Sequence, residues 1–237
     1  QADIWASDVV YDGMSCHFVV HGLPMLSPMP MTVALPGRHN ILNALAVLTV
    51  AAHLQIPAAA CQQALRQFSG VGRRSQYHGL CHLKGCSYHL LEDYGHHPRE
   101  VEVTVDALKK AWPGHRLVLV YQPHRYSRTQ ALWLDFCRAL AMADVLLLCG
   151  VYAAGEQPIP GFDSHVMSQA VRMQGEVVVH DVPSLALLPQ VLQTVIQQGD
   201  VVLLQGAGTI HGVATTMQSL RHHTSDIPTP SIYSEEQ

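Results

Sequence analysis

Residues 91–98, Leu-Glu-Asp-Tyr-Gly-His-His-Pro, concentrate polar and ionisable side chains between two apolar segments. A run rich in strand formers precedes them, and a helical pattern with one apolar face follows. We therefore expect Asp93, Tyr94, His96 and His97 to lie in a strand-to-helix loop, the position at which open α/β sheets bind ligands. A decorated helix cap is the alternative, because helix starts also favour such residues.

A second polar loop, Gln-Pro-His-Arg-Tyr-Ser-Arg-Thr, occupies residues 122–129. Arg125 and Arg128 are three residues apart, and each guanidinium can bind a carboxylate or a phosphate through two hydrogen bonds. The alternative is that both arginines pair with nearby Asp or Glu side chains. If loops after parallel strands share one edge of a sheet, His124 and Glu156 belong to the same crevice.

Two asparagines one turn apart, Asn40 and Asn43, open a helical pattern after Leu-Pro-Gly-Arg-His. Asparagine is a weak helix former that prefers caps, so Asn40 has the N-cap as its ordinary explanation. Asn43 lies inside the first turn, and its amide could project beside Asn40 toward a ligand.

Other motifs are weak. Cys81 and Cys86 have a spacing that zinc sites use, but His82 and His89 are too far apart for the usual histidine pair. An ordinary hairpin through Lys-Gly explains the segment better, and we predict no metal site there. The Gly-Ala-Gly at 206–208 lacks the third glycine of a dinucleotide fingerprint and predicts a tight turn. The sequence contains no G-x-x-x-x-G-K-[ST] loop, G-x-S-x-G elbow or H-E-x-x-H pair.

The composition is that of a globular protein, with 48% hydrophobic residues and a formal net charge of -4 over 237 residues. This mild acidity argues against a nucleic-acid partner, and no apolar run is long enough to predict a membrane span. The six scattered cysteines favour reduced thiols and a cytoplasmic location. The pattern of residues 1–10 is typical of the interior of a folded region, so we expect the chain to be a piece of a longer protein.

The elements that position these loops follow from the apolar periodicity. Predicted strands are 4–11, 17–20, 76–82, 86–91, 116–122, 145–151, 176–180 and 201–205, and predicted helices are 40–54, 57–68, 98–112, 129–142, 163–174, 183–198 and a last one ending near 221. Continuous apolar strands alternating with helices predict an α/β fold, a mostly parallel, doubly wound, Rossmann-like sheet. The helices at 40–54 and 57–68 are expected to bury Ile41, Leu45, Leu48 and Phe68. Residues 69–74 predict a hinge.

Six segments in order carry a family resemblance: GRHNILNALA (37–46), FSGVGRR (68–74), EDYGHHP (92–98), QPHRYSRT (122–129), YAAGEQPIPG (152–161) and QGAGTI (205–210). Together they resemble the Mur ligases of peptidoglycan synthesis. The resemblance implies that residues 1–73 are the end of the central ATP-binding domain, a partial α/β remnant. It implies that residues 74–221 are the Rossmann-like C-terminal domain, with a disordered tail at 222–237.

The resemblance also implies roles for individual residues. Asn40, Asn43, Arg74 and Asp93 would bind ATP, whereas Tyr94, His96, Arg125 and Arg128 would surround the amino-acid substrate. The resemblance assigns no contact to His97 and His124 and leaves them as capping or supporting residues. No residue is assigned as catalytic. The family's Mg²⁺ ligands, phosphate-binding loop and UDP-substrate domain would lie upstream of this chain.

The implied activity is ATP-dependent amide formation between L-alanine and UDP-N-acetylmuramate through an acyl phosphate. The partners would then be these small molecules and the missing N-terminal half of the same enzyme, without which we expect the fragment to be inactive. Three alternatives stay open: a non-catalytic binding module, a murein-peptide recycling ligase, and a ligase that accepts glycine or serine.

Overall fold

The computed structural model describes residues 3–22 and 28–219, and its first part is a small α/β unit. Three antiparallel strands, β1 (Trp5–Asp12), β2 (Ser15–His21) and β3 (Met29–Val33), pair in chain order. Two helices follow, α1 (Arg38–His53) and α2 (Ala58–Gln67). The third strand was not predicted, because Pro30 interrupts its short apolar pattern and Pro28 precedes it.

The core of this unit lies between the sheet and α1. Phe18 and Val33 from the strands pack with Ile41, Leu45 and Leu48, as the helical periodicity predicted. The prediction that Phe68 is buried was wrong: its side chain is 44% exposed, at the end of α2.

The second part contains a six-stranded sheet. Its strands are β4 (Gln76–Leu83), β5 (Cys86–Asp93), β6 (Leu117–Tyr121), β7 (Val145–Cys149), β8 (Val178–Val182) and β9 (Val201–Gln205). The spatial order is β4-β5-β9-β6-β7-β8, with β4 antiparallel to β5 and the remaining pairs parallel. The predicted α/β fold with a mostly parallel sheet is therefore confirmed.

Helices cover both faces of this sheet. They are α3 (Pro98–Ala111), α4 (Tyr126–Ala131), α5 (Trp133–Leu140), α6 (Ser164–Arg172), α7 (Leu188–Val195) and α8 (His211–Ser219). The single helix predicted at 129–142 is two helices that break at Leu132, and the one predicted at 183–198 opens with a 3-10 turn at Leu185–Leu187. The strand predicted at 176–180 runs two residues later, and the last helix is described only as far as Ser219.

Two apolar cores lie on the opposite faces of the sheet. Helices α3, α5 and α6 enclose one core, and α7 and α8 enclose the other. Every residue of β6, β7 and β9 is buried, which explains why these strands are continuous apolar runs. Leu119 and Leu203, for example, are both 0% exposed. Each such leucine contributes about 1.5–3 kcal/mol of burial free energy.

The strand order creates a switch point at β9, which lies between β5 and β6. The chain leaves β5 and β6 toward one face of the sheet and leaves β9 toward the other, as the helix packing indicates. A crevice therefore opens at the carboxyl ends of these three strands, where doubly wound sheets bind ligands. No helix among the described residues is both long and apolar enough to cross a membrane. The tail predicted at 222–237 lies outside the described residues.

Candidate functional site

Polar side chains close the carboxyl ends of the three central strands. Asp93 ends β5 and is 5% exposed; its Oδ1 accepts hydrogen bonds from the Gly95 N–H (2.7 Å) and the Gln205 Nε2 (2.9 Å). Its Oδ2 accepts a hydrogen bond from the Ser75 N–H at 2.9 Å. Asp93 therefore joins β5, β9 and the segment entering β4, while Oδ2 keeps a lone pair for a further partner.

Gln122, directly after β6, orders the turn after β9. Its Oε1 accepts a hydrogen bond from the Ile210 N–H (3.0 Å), and its Nε2 donates to the Thr209 Oγ1 (3.2 Å). A Cβ on Gly208 would lie 2.5 Å from the Gln122 Oε1 and 2.8 Å from the Tyr152 ring, so only glycine fits there. The Gly-Ala-Gly segment is thus a close-packed turn.

A cavity of about 440 Å³ lies between the start of α1, the linker before β4 and α3. All four residues that the resemblance assigns to ATP, Asn40, Asn43, Arg74 and Asp93, line it. Half of the remaining lining residues are apolar: Leu35, Phe68, Val71 and Val103. The cavity thus combines an apolar wall with amides at one end and charged groups at the other.

The two asparagines lie on the cavity side of α1. This helix begins at Arg38, so Asn40 is inside the first turn and the N-cap explanation was wrong. Its Nδ2 donates to the Pro36 carbonyl at 2.8 Å, and its Oδ1 accepts a hydrogen bond from the Asn43 Nδ2 at 3.4 Å. The Asn43 side chain is exposed, and its Oδ1 and second N–H can pair with a ligand.

His39, which the sequence did not single out, also faces this cavity. Its Nδ1 is buried and has no hydrogen-bond partner among the described residues. Burial lowers the pKa of His39, and the nearby Asp93 carboxylate only partly opposes this effect. The imidazole is therefore neutral at pH 7, with an unsatisfied ring nitrogen beside the cavity.

Arg74 and Glu100 form the charged end of the cavity. The Arg74 guanidinium lies 3.3 Å from the Glu100 carboxylate, and the Arg74 side chain is 51% exposed. Glu100 Oε2 also accepts hydrogen bonds from the N–H groups of His96 (2.9 Å) and His97 (3.0 Å). Burial alone would raise the pKa of Glu100, but these backbone hydrogen bonds and Arg74 outweigh it and lower the pKa.

The same contacts explain the start of α3. His97 is the N-cap, and its Nδ1 accepts a hydrogen bond from the Arg99 N–H at 3.2 Å. Together with Glu100 it forms a capping box, so the cap explanation applies to His97. A glutamate three residues after a polar helix-start residue was a signal that could have identified Glu100 from the sequence.

Beside the cavity, four aromatic rings form a row along the carboxyl edge of the sheet. The centroid separations are 5.2 Å between Tyr94 and His96, 5.9 Å between His96 and His124, and 5.3 Å between His124 and Tyr152. The loops after β5, β6 and β7 contribute these rings, as expected for parallel strands. Tyr152 was not predicted as a site residue.

Arg128 contacts this row at His124. Its Nη1 donates to the His124 Nδ1 and to the His124 carbonyl, both at 3.2 Å. The pKa of His124 is lowered by burial first, then by Arg128, His96 and Arg125, against a smaller opposite effect of Glu156. His124 is therefore neutral, and its unprotonated Nδ1 accepts the hydrogen bond from Arg128.

Arg125 is the N-cap of α4, and its φ of 72° is uncommon for a side-chain-bearing residue. The neighbouring loop holds this conformation, because the Arg125 N–H donates to the Tyr152 carbonyl at 2.9 Å. Glu156 accepts hydrogen bonds from the Ser127 N–H (2.9 Å) and Oγ (2.6 Å). Among the described residues, Arg125 and Arg128 have no carboxylate within 4 Å, so both can bind an anion.

The site thus has two adjacent halves, a cavity with paired amides and a rim with two arginines. Five further residues that sequence reasoning missed or passed over, His39, Arg73, Glu100, Gln122 and Gln205, lie in or directly beneath it. Gln122 and Gln205 could have been found as polar residues that end apolar strands. No group of three or more His, Cys, Asp or Glu side chains among residues 3–22 and 28–219 is arranged to hold a metal ion.

Doubly wound sheets of this kind bind their ligands in the crevice at the switch point, and the polar side chains described above lie there. The chain belongs to the Mur ligase family, because the sequence profile of "Mur ligase, glutamate ligase domain" matches residues 73–208. It is 45% identical over 216 residues to the UDP-N-acetylmuramate–L-alanine ligase of Nitrosomonas eutropha. This match covers 90% of the chain and 46% of that protein.

Solved structures show the same fold. The UDP-N-acetylmuramate-alanine ligase MurC of Thermotoga maritima is 22% identical with a TM-score of 0.74, over 94% of this chain and 46% of that one. MurF ligase from Thermotoga maritima, solved in complex with ADP, is 17% identical with a TM-score of 0.66, over 94% and 48% of the two chains. The chain therefore spans about half the length of the relatives it matches.

Proposed function

We propose that these residues are the C-terminal half of an ATP-dependent UDP-N-acetylmuramate–L-alanine ligase, which forms an amide bond in peptidoglycan synthesis. The observation that carries the proposal is the adjacency of the two half-sites. Glu100 lines the cavity, and its carboxylate lies 3.8 Å from the His96 ring. The His96 ring is in turn 5.9 Å from that of His124, which binds Arg128 on the rim. The 45% identity to a ligase with this specificity supports it.

The cavity has the chemistry that an adenine nucleotide requires. The apolar wall, with Phe68 and Val71, can pack against the faces of the base. The exposed Asn43 amide can donate to and accept from an adenine edge. Arg74, at the charged end, is placed to meet phosphate oxygens. ATP, when bound, supplies the phosphoryl group that activates the muramoyl carboxylate.

The rim has the chemistry that a small amino acid requires. Arg125 and Arg128 supply positive charge for its carboxylate, and the rings of Tyr94 and His96 line the approach to it. Holding the amine and the activated carboxyl in contact lowers the entropic cost of amide formation. A neutral His124 keeps Arg128 oriented without adding a competing charge to the site.

The residues described here do not fit a Mg²⁺ site, because none of their acidic groups cluster as metal ligands. We place the Mg²⁺ ligands, the phosphate-binding loop and the UDP-sugar site in the part of the enzyme outside these 237 residues. The substrates are small and soluble, and we assign the reaction to the cytoplasm, where ATP is supplied. Residues 1–73 would belong to the central domain and 74–221 to the C-terminal domain.

The test uses two proteins. The 237-residue chain alone should release no phosphate from ATP in the presence of UDP-N-acetylmuramate and L-alanine. A chimeric ligase, in which this chain replaces the matching segment of the Nitrosomonas eutropha enzyme, should release phosphate only when both substrates are present. Turnover by the isolated chain, or a folded chimeric ligase without turnover, would contradict the proposal.

A further inference from the structure

Arg73, in the linker before β4, is fixed to the six-stranded sheet through its backbone. Its N–H donates to the Gln76 Oε1 at 2.8 Å, and its carbonyl accepts a hydrogen bond from the Tyr94 N–H at 2.7 Å. Its φ of 61° lies in the left-handed region, which is unfavourable for a residue with a Cβ. Such a conformation persists only where the surroundings enforce it, and it is common next to functional sites.

The guanidinium of Arg73 adds contacts to two neighbouring strands. Its Nε lies 3.3 Å from the Glu92 carboxylate on β5, whose side chain is 7% exposed, and its Nη2 donates to the Gly206 carbonyl after β9 at 3.3 Å. The other Glu92 oxygen lies 3.1 Å from the His78 Nε2 on β4. One side chain therefore connects the ends of β5 and β9, and through Glu92 it reaches β4.

The same guanidinium packs on the ring of Tyr94. The centre of the Arg73 guanidinium is 4.7 Å from the Tyr94 ring centroid, and that of Arg74 is 5.3 Å away. The His96 ring meets Tyr94 edge-on at 5.2 Å. Tyr94 thus contacts two guanidinium groups and, through His96, the rest of the aromatic row. Arg73 itself is not part of the cavity lining, whereas Arg74 is.

We propose that Arg73 is a positioning residue that fixes the Tyr94 ring against the amino-acid half of the site. This inference rests on the proposed function, since it assigns Tyr94 to the amino-acid half. Arg73 acts through Tyr94 and does not itself touch substrate. Arg73 and the Ser75 N–H are both bound to the sheet, so we limit the hinge predicted at 69–74 to residues 69–72.

The kinetic test uses the chimeric ligase. Arg73→Ala should raise the KM for L-alanine about tenfold and change the KM for ATP by less than about twofold, because only one half-site loses its support. Arg73→Lys keeps the charge near Glu92 but loses the planar stack, and it should restore part of the alanine KM. Arg138→Ala, an exposed arginine 3.8 Å from Asp135 on α5, is the matched control and should leave both constants unchanged.

A merely structural role would give a different pattern. It would lower the melting temperature and change both KM values in parallel, and that result would overturn the proposal. If Arg73→Ala does not fold, Glu92→Gln weakens the same ion pair while keeping the arginine. An unchanged alanine KM in a folded Glu92→Gln variant would also overturn it.

A second readout does not depend on ligation. In the 237-residue chain with labelled tyrosines, the ring signal of Tyr94 in NMR spectra should shift in Arg73→Ala and stay in place in Arg138→Ala. A Tyr94 signal that is unchanged in both variants would reject the positioning role. Failure of the proposed function is distinguishable, because the chimeric ligase with Arg73 intact would then lack activity.

Discussion

Asp93 and Gln205, at the ends of the neighbouring strands β5 and β9, are joined by a buried hydrogen bond of 2.9 Å from the Gln205 Nε2 to the Asp93 Oδ1. The two residues are 112 positions apart, and the bond spans the switch point of the sheet. The Asp93 carboxylate also fixes Ser75 and Gly95, so the floor of the crevice is a single hydrogen-bonded unit.

Asp93→Asn should destabilise the protein by about 1–3 kcal/mol. The asparagine side chain has one oxygen and one NH2 group, so its NH2 group must face at least one of the three N–H donors that Asp93 accepts from. Urea unfolding of the isolated chain measures this loss. Asp106→Asn is the control, since Asp106 is 49% exposed in a surface pair with Lys110 and should change stability by less than about 0.5 kcal/mol. Equal stability of the two variants would show that the buried network does not support the fold.

Asn43→Ala should raise the KM for ATP in the chimeric ligase about tenfold and leave the KM for L-alanine unchanged. The reason is that the Asn43 amide faces the cavity and, within residues 3–22 and 28–219, has only a 3.4 Å hydrogen bond to Asn40. Steady-state kinetics with each substrate varied in turn provide the measurement. Gln63→Ala on α2, which lies outside this cavity, is the control. If the KM for L-alanine rose more than the KM for ATP, the assignment of Asn43 to the ATP cavity would be contradicted.

Arg128→Ala should raise the KM for L-alanine by about tenfold to a hundredfold, because a charge-assisted hydrogen bond to the substrate carboxylate is lost. The KM for ATP should change little, since Arg128 does not line the cavity. Arg99→Ala, at a side chain that is 78% exposed and paired with Glu102, is the matched control. An unaltered alanine KM would reject the role of Arg128.

His124 should make stability depend on pH. Burial, Arg128, His96 and Arg125 lower its pKa in the folded protein, whereas the pKa of an unfolded histidine is about 6.5. At pH values between the folded and the unfolded pKa of His124, the unfolded chain binds more protons than the folded chain. The contribution of neutral His124 to the free energy of unfolding is therefore complete above about pH 6.5, and it is lost as the pH falls toward the folded pKa.

Thermal unfolding at pH 8 and pH 6 tests this dependence. The difference in Tm between the two pH values should be smaller in His124→Gln than in the unsubstituted chain. It should not vanish, because burial also lowers the pKa of His39 and His89. The exposed His53→Gln serves as control. An identical pH difference in His124→Gln and the unsubstituted chain would contradict the assignment.

The elements that the sequence predicted well are those with long, unambiguous periodicity. The hairpin around Lys84-Gly85, helix α3 and the buried strand β9 lie within two residues of their predicted bounds, because apolar pattern and turn residues agree there. The strand β3 and the break at Leu132 were missed, since a proline and a short polar stretch obscure the period.

The site was predictable where parallel topology determines it. Loops after β5, β6 and β7 had to meet at one edge, which brings Tyr94, His96 and His124 together. The position of β9 between β5 and β6 had no local signal, and so the Asp93–Gln205 bond could not be foreseen. The contacts of Arg73 depend on its left-handed backbone conformation, which favours glycine. No sequence pattern indicates that an arginine adopts this conformation.

The amino acid that the chimeric ligase joins to UDP-N-acetylmuramate tests the central claim most directly, because in this chimera only the present chain supplies the rim with Arg125 and Arg128. Mass spectrometry of the product would be recorded with L-alanine, glycine, L-serine and D-glutamate in competition. We predict UDP-N-acetylmuramoyl-L-alanine as the main product. A D-glutamate product, or no product from a folded chimeric ligase that binds ATP, would contradict the assignment of this chain to an alanine-adding enzyme.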